Sequence, residues 1–118
     1  MGIIPWSPLA RGRLTRPWGQ HTPRIASDAF GATLFAHSED NDRAVAAVLA
    51  QVAQARGAPL AQVALAWVLA QPGITAPIVG VSKAAQLDDA VAALTLQLTP
   101  DEMQALQAPY RPHEVVGL

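Results

Sequence analysis

The apolar positions of the chain follow two rhythms, short β-branched runs and longer stretches spaced by three and four residues. Gly2 to Trp6 holds the first short run, Ile3-Ile4, and Pro5 closes it because a missing N–H disfavours a continued ladder. Ala76 to Val81 holds the second, Ile78-Val79, with Gly80 permitting a close backbone approach or an unusual dihedral. Both read as short buried strands. From Asn41 to Arg56, Val45, Val48, Leu49 and Val52 line one face of a helix, with Ser38 or Asp40 as its cap and Gly57 as its stop. Leu60 to Ala70 forms a second helix, entered by Pro59 and ended before Gln71-Pro72-Gly73. Its Val63, Leu65, Ala66, Trp67, Val68 and Leu69 leave so little polar surface that it needs partners on several sides. A third helix, Lys83 to Leu94, has Ser82 as a plausible cap and repeats Leu87, Val91 and Leu94 on one face. In the fourth, Thr99 is the cap, Pro100 the first helical residue and Glu102 the capping-box acid, ahead of Met103, Ala105 and Leu106.

Between the first strand and the first helix, residues 7–40 carry Pro8, Pro17, Pro23, Gly12, Gly19 and Gly31 and read as one irregular loop. Disorder is the alternative, but Leu9, Leu14, Trp18, Phe30, Leu34 and Phe35 are more anchors than a disordered linker needs. At the other end, residues 99–118 form the terminal helix and a tail whose Tyr110 and Val115-Val116 suit it to lie over another surface. The order strand, loop, helices, strand, helix, helix is that of an α/β fold with parallel strands. Two strands neither close a barrel nor make a normal sheet. An independent two-stranded domain with four helices is the competing architecture, and its strand edges would need pairing or cover.

Composition sharpens that picture. The chain of 118 residues is 51% hydrophobic and 14% charged, against roughly 25% charged in an ordinary soluble domain. Such a balance suits a piece of a larger body, or else an alanine-rich helical domain. Eight basic against nine acidic residues give a net charge of -1, so no global field directs the chain to nucleic acid or an anionic membrane. The absence of cysteine excludes disulfides, thiolate metal sites and cysteine nucleophiles, and fits a cytoplasmic protein. No apolar run reaches the length of a membrane span or an export signal.

The densest candidate chemistry is Trp6-Ser7-Pro8-Leu9-Ala10-Arg11-Gly12-Arg13-Leu14. An indole stacks on a heteroaromatic ring, a serine and turn N–H groups meet phosphate oxygens, and arginines pair with them in a forked geometry. Arg11, Arg13, Arg16 and Arg24 all precede Ser27 with no acid among them, so positive charge is local in a nearly neutral chain. The plainer reading is a core tryptophan beside an ordinary solvated loop.

Residues 4–15 resemble the loop after the seventh barrel strand of aldo-keto reductases. Pro77 to Ala90 resembles their eighth-strand cofactor loop and following helix, and Gln62-Val63-Ala64-Leu65-Ala66-Trp67-Val68-Leu69 is similar to the helix between. The likeness is collinear over nearly the whole chain. It is nearest the bacterial and potassium-channel beta-subunit-like branch, notably in Trp6 to Thr15 and in the Tyr110 to Gly117 ending. It implies an α/β fold, the C-terminal part of a TIM (β/α)8 barrel with about two parallel strands and four helices across residues 1–118. It also implies NADP(H) as cofactor and a small aldehyde or ketone as substrate. By the same resemblance Trp6 stacks on the nicotinamide, and Ser7, Leu9 and Arg11 line the passage to the pyrophosphate. Gly80 and Ser82 approach the adenosine phosphate end, Lys83 neutralises the 2′-phosphate, and Gln86 and Asp89 face the adenine ribose and base. Ala90 stands where related sites commonly carry Asn, which removes one adenine partner.

The family's catalytic Asp, Tyr, Lys and His belong to earlier barrel strands, so no catalytic residue is assigned here. Tyr110 lies beyond the terminal helix, where packing of its ring is expected. His21, His37 and His113 have no metal-ligand spacing, and Asp88-Asp89 and Asp101-Glu102 read as helix charges. A whole barrel needs roughly 250 residues. The expectation is therefore a reductase fragment, inactive alone, whose partners are the missing barrel portion or further copies of itself. The alternative is a noncatalytic cofactor-binding or self-associating module.

Overall fold

A computed structural model describes residues 1–115, so the expectations for Val116 and for the end of the Tyr110 to Gly117 run lie outside the described residues. Three helices build the core. The first, α3 (Glu39–Arg56), follows two short helices, α1 (Pro23–Ala26) and α2 (Ala29–Leu34); α4 (Leu60–Leu69), α5 (Ala84–Ala92) and α6 (Pro100–Gln107) complete the set. Glu39, Asp40 and Asp42 in the first turn of α3 and Arg56 in its last complement the helix dipole. Ser38 is its N-cap residue, but the buried hydroxyl donates to Asp42 Oδ2 at 2.7 Å instead of capping a backbone N–H. Gly57 ends the helix in the left-handed region, φ 63°, where a side chain would be strained.

Helix α6 begins as its sequence prescribes. Glu102 N donates to Thr99 Oγ1 at 3.1 Å, while Glu102 Oε1 accepts from Thr99 N at 2.8 Å. Thr99→Ala is expected to cost about 1 kcal/mol in chemical denaturation, because Glu102 N loses its side-chain acceptor. Arg56 adds a clamp between helices, reaching Glu102 Oε1 at 2.9 Å and Gln97 O at 2.8 Å. Leu49, Val52 and Ala53 of α3, Val63 and Ala64 of α4 and Leu106 of α6 form one buried cluster, with Val63 fully enclosed. Leu9 and Leu14 pack on it from the loop.

The two expected strands are not formed among the described residues. Their segments touch in parallel through isolated bridges, Ile3 with Ile74 and Trp6 with Ile78, and two bonds, Thr75 N to Ile3 O (2.8 Å) and Ile78 N to Pro5 O (2.9 Å). From one bridge to the next the first segment advances three residues and the second four. That mismatch, with Pro5 and Pro77 lacking N–H groups, prevents a continuous ladder.

Residues 7–40 are also more ordered than expected. They contain a 3-10 turn at Ala10–Gly12 and helices α1 and α2, which makes six α-helices among the described residues rather than four. Thr22 Oγ1 accepts from Ile25 N and Asp28 Oδ1 from Gly31 N, so each short helix has its own side-chain cap.

Helix α5 ends at Ala92, short of the expected Leu94, and has no buried residue: Leu87 and Val91 are 50% and 56% exposed, and Leu94 beyond its end is 68% exposed. Tyr110 is likewise exposed rather than packed. Asn41 holds the tail on both sides of it, donating to Pro109 O at 2.5 Å and accepting from Arg111 N at 3.1 Å. The ring is left outside this backbone clamp.

Candidate cofactor site

Leu9 and Leu14 fasten the loop to the helical core, and the adjoining turn has an uncommon backbone. Ser7, Ala10 and Arg11 all lie in the left-handed region, with φ of 55°, 50° and 54°. Non-glycine residues seldom adopt it, and their clustering marks stored strain of the kind found at functional sites. The turn is held by Ala10 N to Ser7 O and Gly12 N to Leu9 O, both 3.0 Å.

This turn forms one wall of a cavity of about 570 Å³, a size suited to a small molecule or to much of a larger one. Trp6, Ser7, Leu9 and Arg11 line that wall, and Gly80, Gln86 and Asp89 line the opposite side together with Ala90. Seven of the nine sequence-derived residues thus share one cavity, although they come from two segments far apart in the chain. Ser82 and Lys83 do not belong to its lining and are exposed. Trp6, 60% exposed, also lines a second cavity of about 300 Å³ with Ser7, Ala10, Leu34 and Phe35 and the tail residues His113, Glu114 and Val115.

Ser82 is not the cap of α5. That helix is entered at Lys83, and Gln86 Oε1 reaches back to accept from Ser82 N at 2.8 Å and Lys83 N at 3.3 Å. This serves the two N–H groups just outside the helix, as the returning half of a capping box does. The Gln86 amide NH₂ remains as a donor for a ligand. Asp89 Oδ1 accepts from Gln62 Nε2 at 3.1 Å, which ties α5 to α4.

The lining also includes residues that were not anticipated, above all Asp28, with Thr15 and Thr22, and it takes in Arg16 and Arg24 of the basic run. Asp28 is the first acid after the basic run, and that position was the available signal. Arg11 donates to it through Nε at 2.5 Å and Nη2 at 2.9 Å. Arg16 and Arg24 make no ion pair among the described residues, so three arginines against Asp28 and Asp89 leave the cavity wall one positive charge in excess. Arg13 lies elsewhere, paired with Asp42 at 3.3 Å and set against the rings of Trp18 and Phe35.

Arg11, and then the Gly31 N–H, hold the Asp28 carboxyl below its ordinary pKa of 3.8. A depressed carboxyl contributes its stability above the ordinary value and loses it as pH falls through the depressed one. The stability difference between the wild type and Asp28→Asn should therefore be constant at neutral pH and shrink below about pH 4 in acid titrations followed by denaturation.

Among the described residues no group of three or more His, Asp or Glu is placed to hold a metal, and no helix is long and apolar enough to cross a membrane.

A strained turn carrying arginine thus faces a helix across an open cavity. The aldo/keto reductase family matches residues 1–111, and the chain belongs to that family. It is similar to a versiconal hemiacetal acetate reductase of Aspergillus parasiticus, 40% identical over 98% of this chain and 34% of the relative. It is also similar to a putative aryl-alcohol dehydrogenase of Saccharomyces cerevisiae, 38% identical over 95% and 32%, and to an aldo-keto reductase of Fusarium vanettenii, 34% identical over 99% and 31%. The chain spans about a third of the length of these relatives, all of them fungal. The family is one of barrel enzymes that act on small carbonyl compounds with a nicotinamide cofactor.

Proposed function

We propose that residues 1–118 form the cofactor-holding C-terminal part of a (β/α)8 barrel in a cytoplasmic, NADPH-dependent reductase of aldehydes or ketones. The observation that carries this reading is the convergence of Trp6, Ser7, Leu9 and Arg11 with Gly80, Gln86 and Asp89 on one cavity. The donor set suits the cofactor: an exposed indole for the nicotinamide, arginine and serine for pyrophosphate oxygens, and an amide and a carboxylate for the adenosine half. When bound, NADPH supplies the hydride. Trp6 orients the ring, Arg11 and Ser7 bind phosphate, and Gln86 and Asp89 hold the adenosine, with Ser82 and Lys83 at the outer end toward the 2′-phosphate. In this reading the proton comes from a tyrosine of earlier barrel strands and none of these residues is catalytic. The likeness to the bacterial and channel beta-subunit branch belongs to the same proposal.

Titration of the purified protein with NADPH, read by quenching of tryptophan emission, tests the site. Saturable binding that weakens in Trp6→Ala supports it, and equal affinity in the variant counts against it. Carbonyl reduction by the 118-residue chain alone would overturn the assignment of the proton donor to earlier strands. The uncovered Leu87, Val91 and Leu94 favour a second reading, a self-associating module. A sedimentation coefficient that rises with concentration and falls back in Leu87→Lys supports that reading.

A further inference from the structure

Arg11 and Asp28 meet through one edge of the guanidinium, Nε at 2.5 Å and Nη2 at 2.9 Å. An arginine has five N–H groups, so this pairing leaves three, both on Nη1 and one on Nη2, as a second forked edge. Such an edge matches two oxygens of a phosphate. The rings of Trp6 and Phe30 stand 5.8 and 5.7 Å from the guanidinium carbon and confine it further.

Asp28 is itself fixed. It caps α2 by accepting from Gly31 N at 2.9 Å, and its side chain is only 19% exposed. Gly31 is buried, and a Cβ there would collide with the Asp28 carboxylate and come within 3.2 Å of Arg11 Nε. The space for the pair depends on that missing side chain. Both partners line the cavity, where Asp28 stands 17 residues beyond Arg11 in the chain.

We infer that Asp28 is a positioning residue of the cofactor site, holding Arg11 by one edge so that the other is presented to the pyrophosphate; this rests on the cofactor reading above. An arginine held only by its flexible stem would have to be ordered on binding, whereas one already gripped loses less freedom.

A double-mutant cycle with NADPH tests it on the purified protein, comparing wild type, Asp28→Asn, Arg11→Ala and the double variant. Asp28→Asn is expected to weaken binding about tenfold, the scale of one charge-assisted contact, and to change it less than about twofold when Arg11 is already Ala. Equal losses in both backgrounds would mean that Asp28 only shapes the loop, and the proposal falls. Tighter binding in Asp28→Asn would show that the carboxylate competes with phosphate, and it falls again. In both of those cases the wild type still binds NADPH; absence of wild-type binding removes the cofactor reading and the positioning role with it. If Asp28→Asn does not fold, Gly31→Ala, which crowds the carboxylate without removing its charge, must show the same dependence on Arg11.

Discussion

Leu106→Ala is expected to lower the stability of the protein by about 3 kcal/mol in denaturant unfolding, the middle of the range for a buried leucine. Leu106 is the buried residue of α6 and joins the cluster of Leu49, Val52, Ala53, Val63 and Ala64 from α3 and α4. Truncation leaves a cavity at the meeting point of three helices, and the capping box and the Arg56 clamp hold α6 in place around it, so collapse cannot fill the space. Leu87→Ala removes the same atoms from α5, where the side chain is 50% exposed. Its cost is expected to stay near 0.5 kcal/mol. Similar losses in the two variants would mean that the Leu106 cluster is not the core.

The second large effect concerns binding. Arg11→Ala is expected to weaken NADPH affinity about thirtyfold, because it removes a forked, charge-bearing donor whose ring neighbours and carboxylate partner already restrict it. Lys83→Ala should cost only a few-fold, since an exposed ammonium is well screened by water. The two variants also separate the ends of the cofactor. Arg11→Ala should weaken NADPH and NADH alike, whereas Lys83→Ala should weaken NADPH and leave NADH unchanged. A loss in Lys83→Ala that is the same for both nucleotides would remove the assignment of Lys83 to the 2′-phosphate.

Helix existence was legible where periodic apolar residues came with punctuation, as in α3 with Gly57 and α6 with Thr99-Pro100 and Glu102. The same punctuation was present and unread at Thr22-Pro23, where Thr22 caps α1 as Thr99 caps α6. A helix of four residues has no periodicity to draw attention to its cap. Strand content was overread, because Ile3-Ile4 and Ile78-Val79 have the right composition but pair through isolated bridges. Side-chain composition says little about backbone register. At the site, Trp6 to Arg11 was legible because aromatic, hydroxyl and cationic groups are adjacent in the sequence. Asp28 was not, since nothing in the one-dimensional pattern tells which of four arginines an acid will meet. Ser82 shows the converse: a good capping residue stands one position before the actual N-cap, Lys83, and Gln86 reaches back to the backbone N–H groups of both.

The unequal step between the two bridges makes the chain sensitive to length in a way that no single side chain is. On a pleated segment an odd step changes face and an even step keeps it. Ile3 to Trp6 is an odd step and Ile74 to Ile78 an even one, so the extra residue must be absorbed as a bulge for Trp6 and Ile78 to sit side by side. Inserting one residue after Ala76 would widen the mismatch and, with the Ile3–Ile74 pairing kept, displace everything after it by one position against a stationary Trp6. Gly80, Gln86 and Asp89 would then move as a block relative to the strained turn. The genetic analogue is a frameshift: every residue keeps its chemistry, and the two halves of the cavity no longer read in phase.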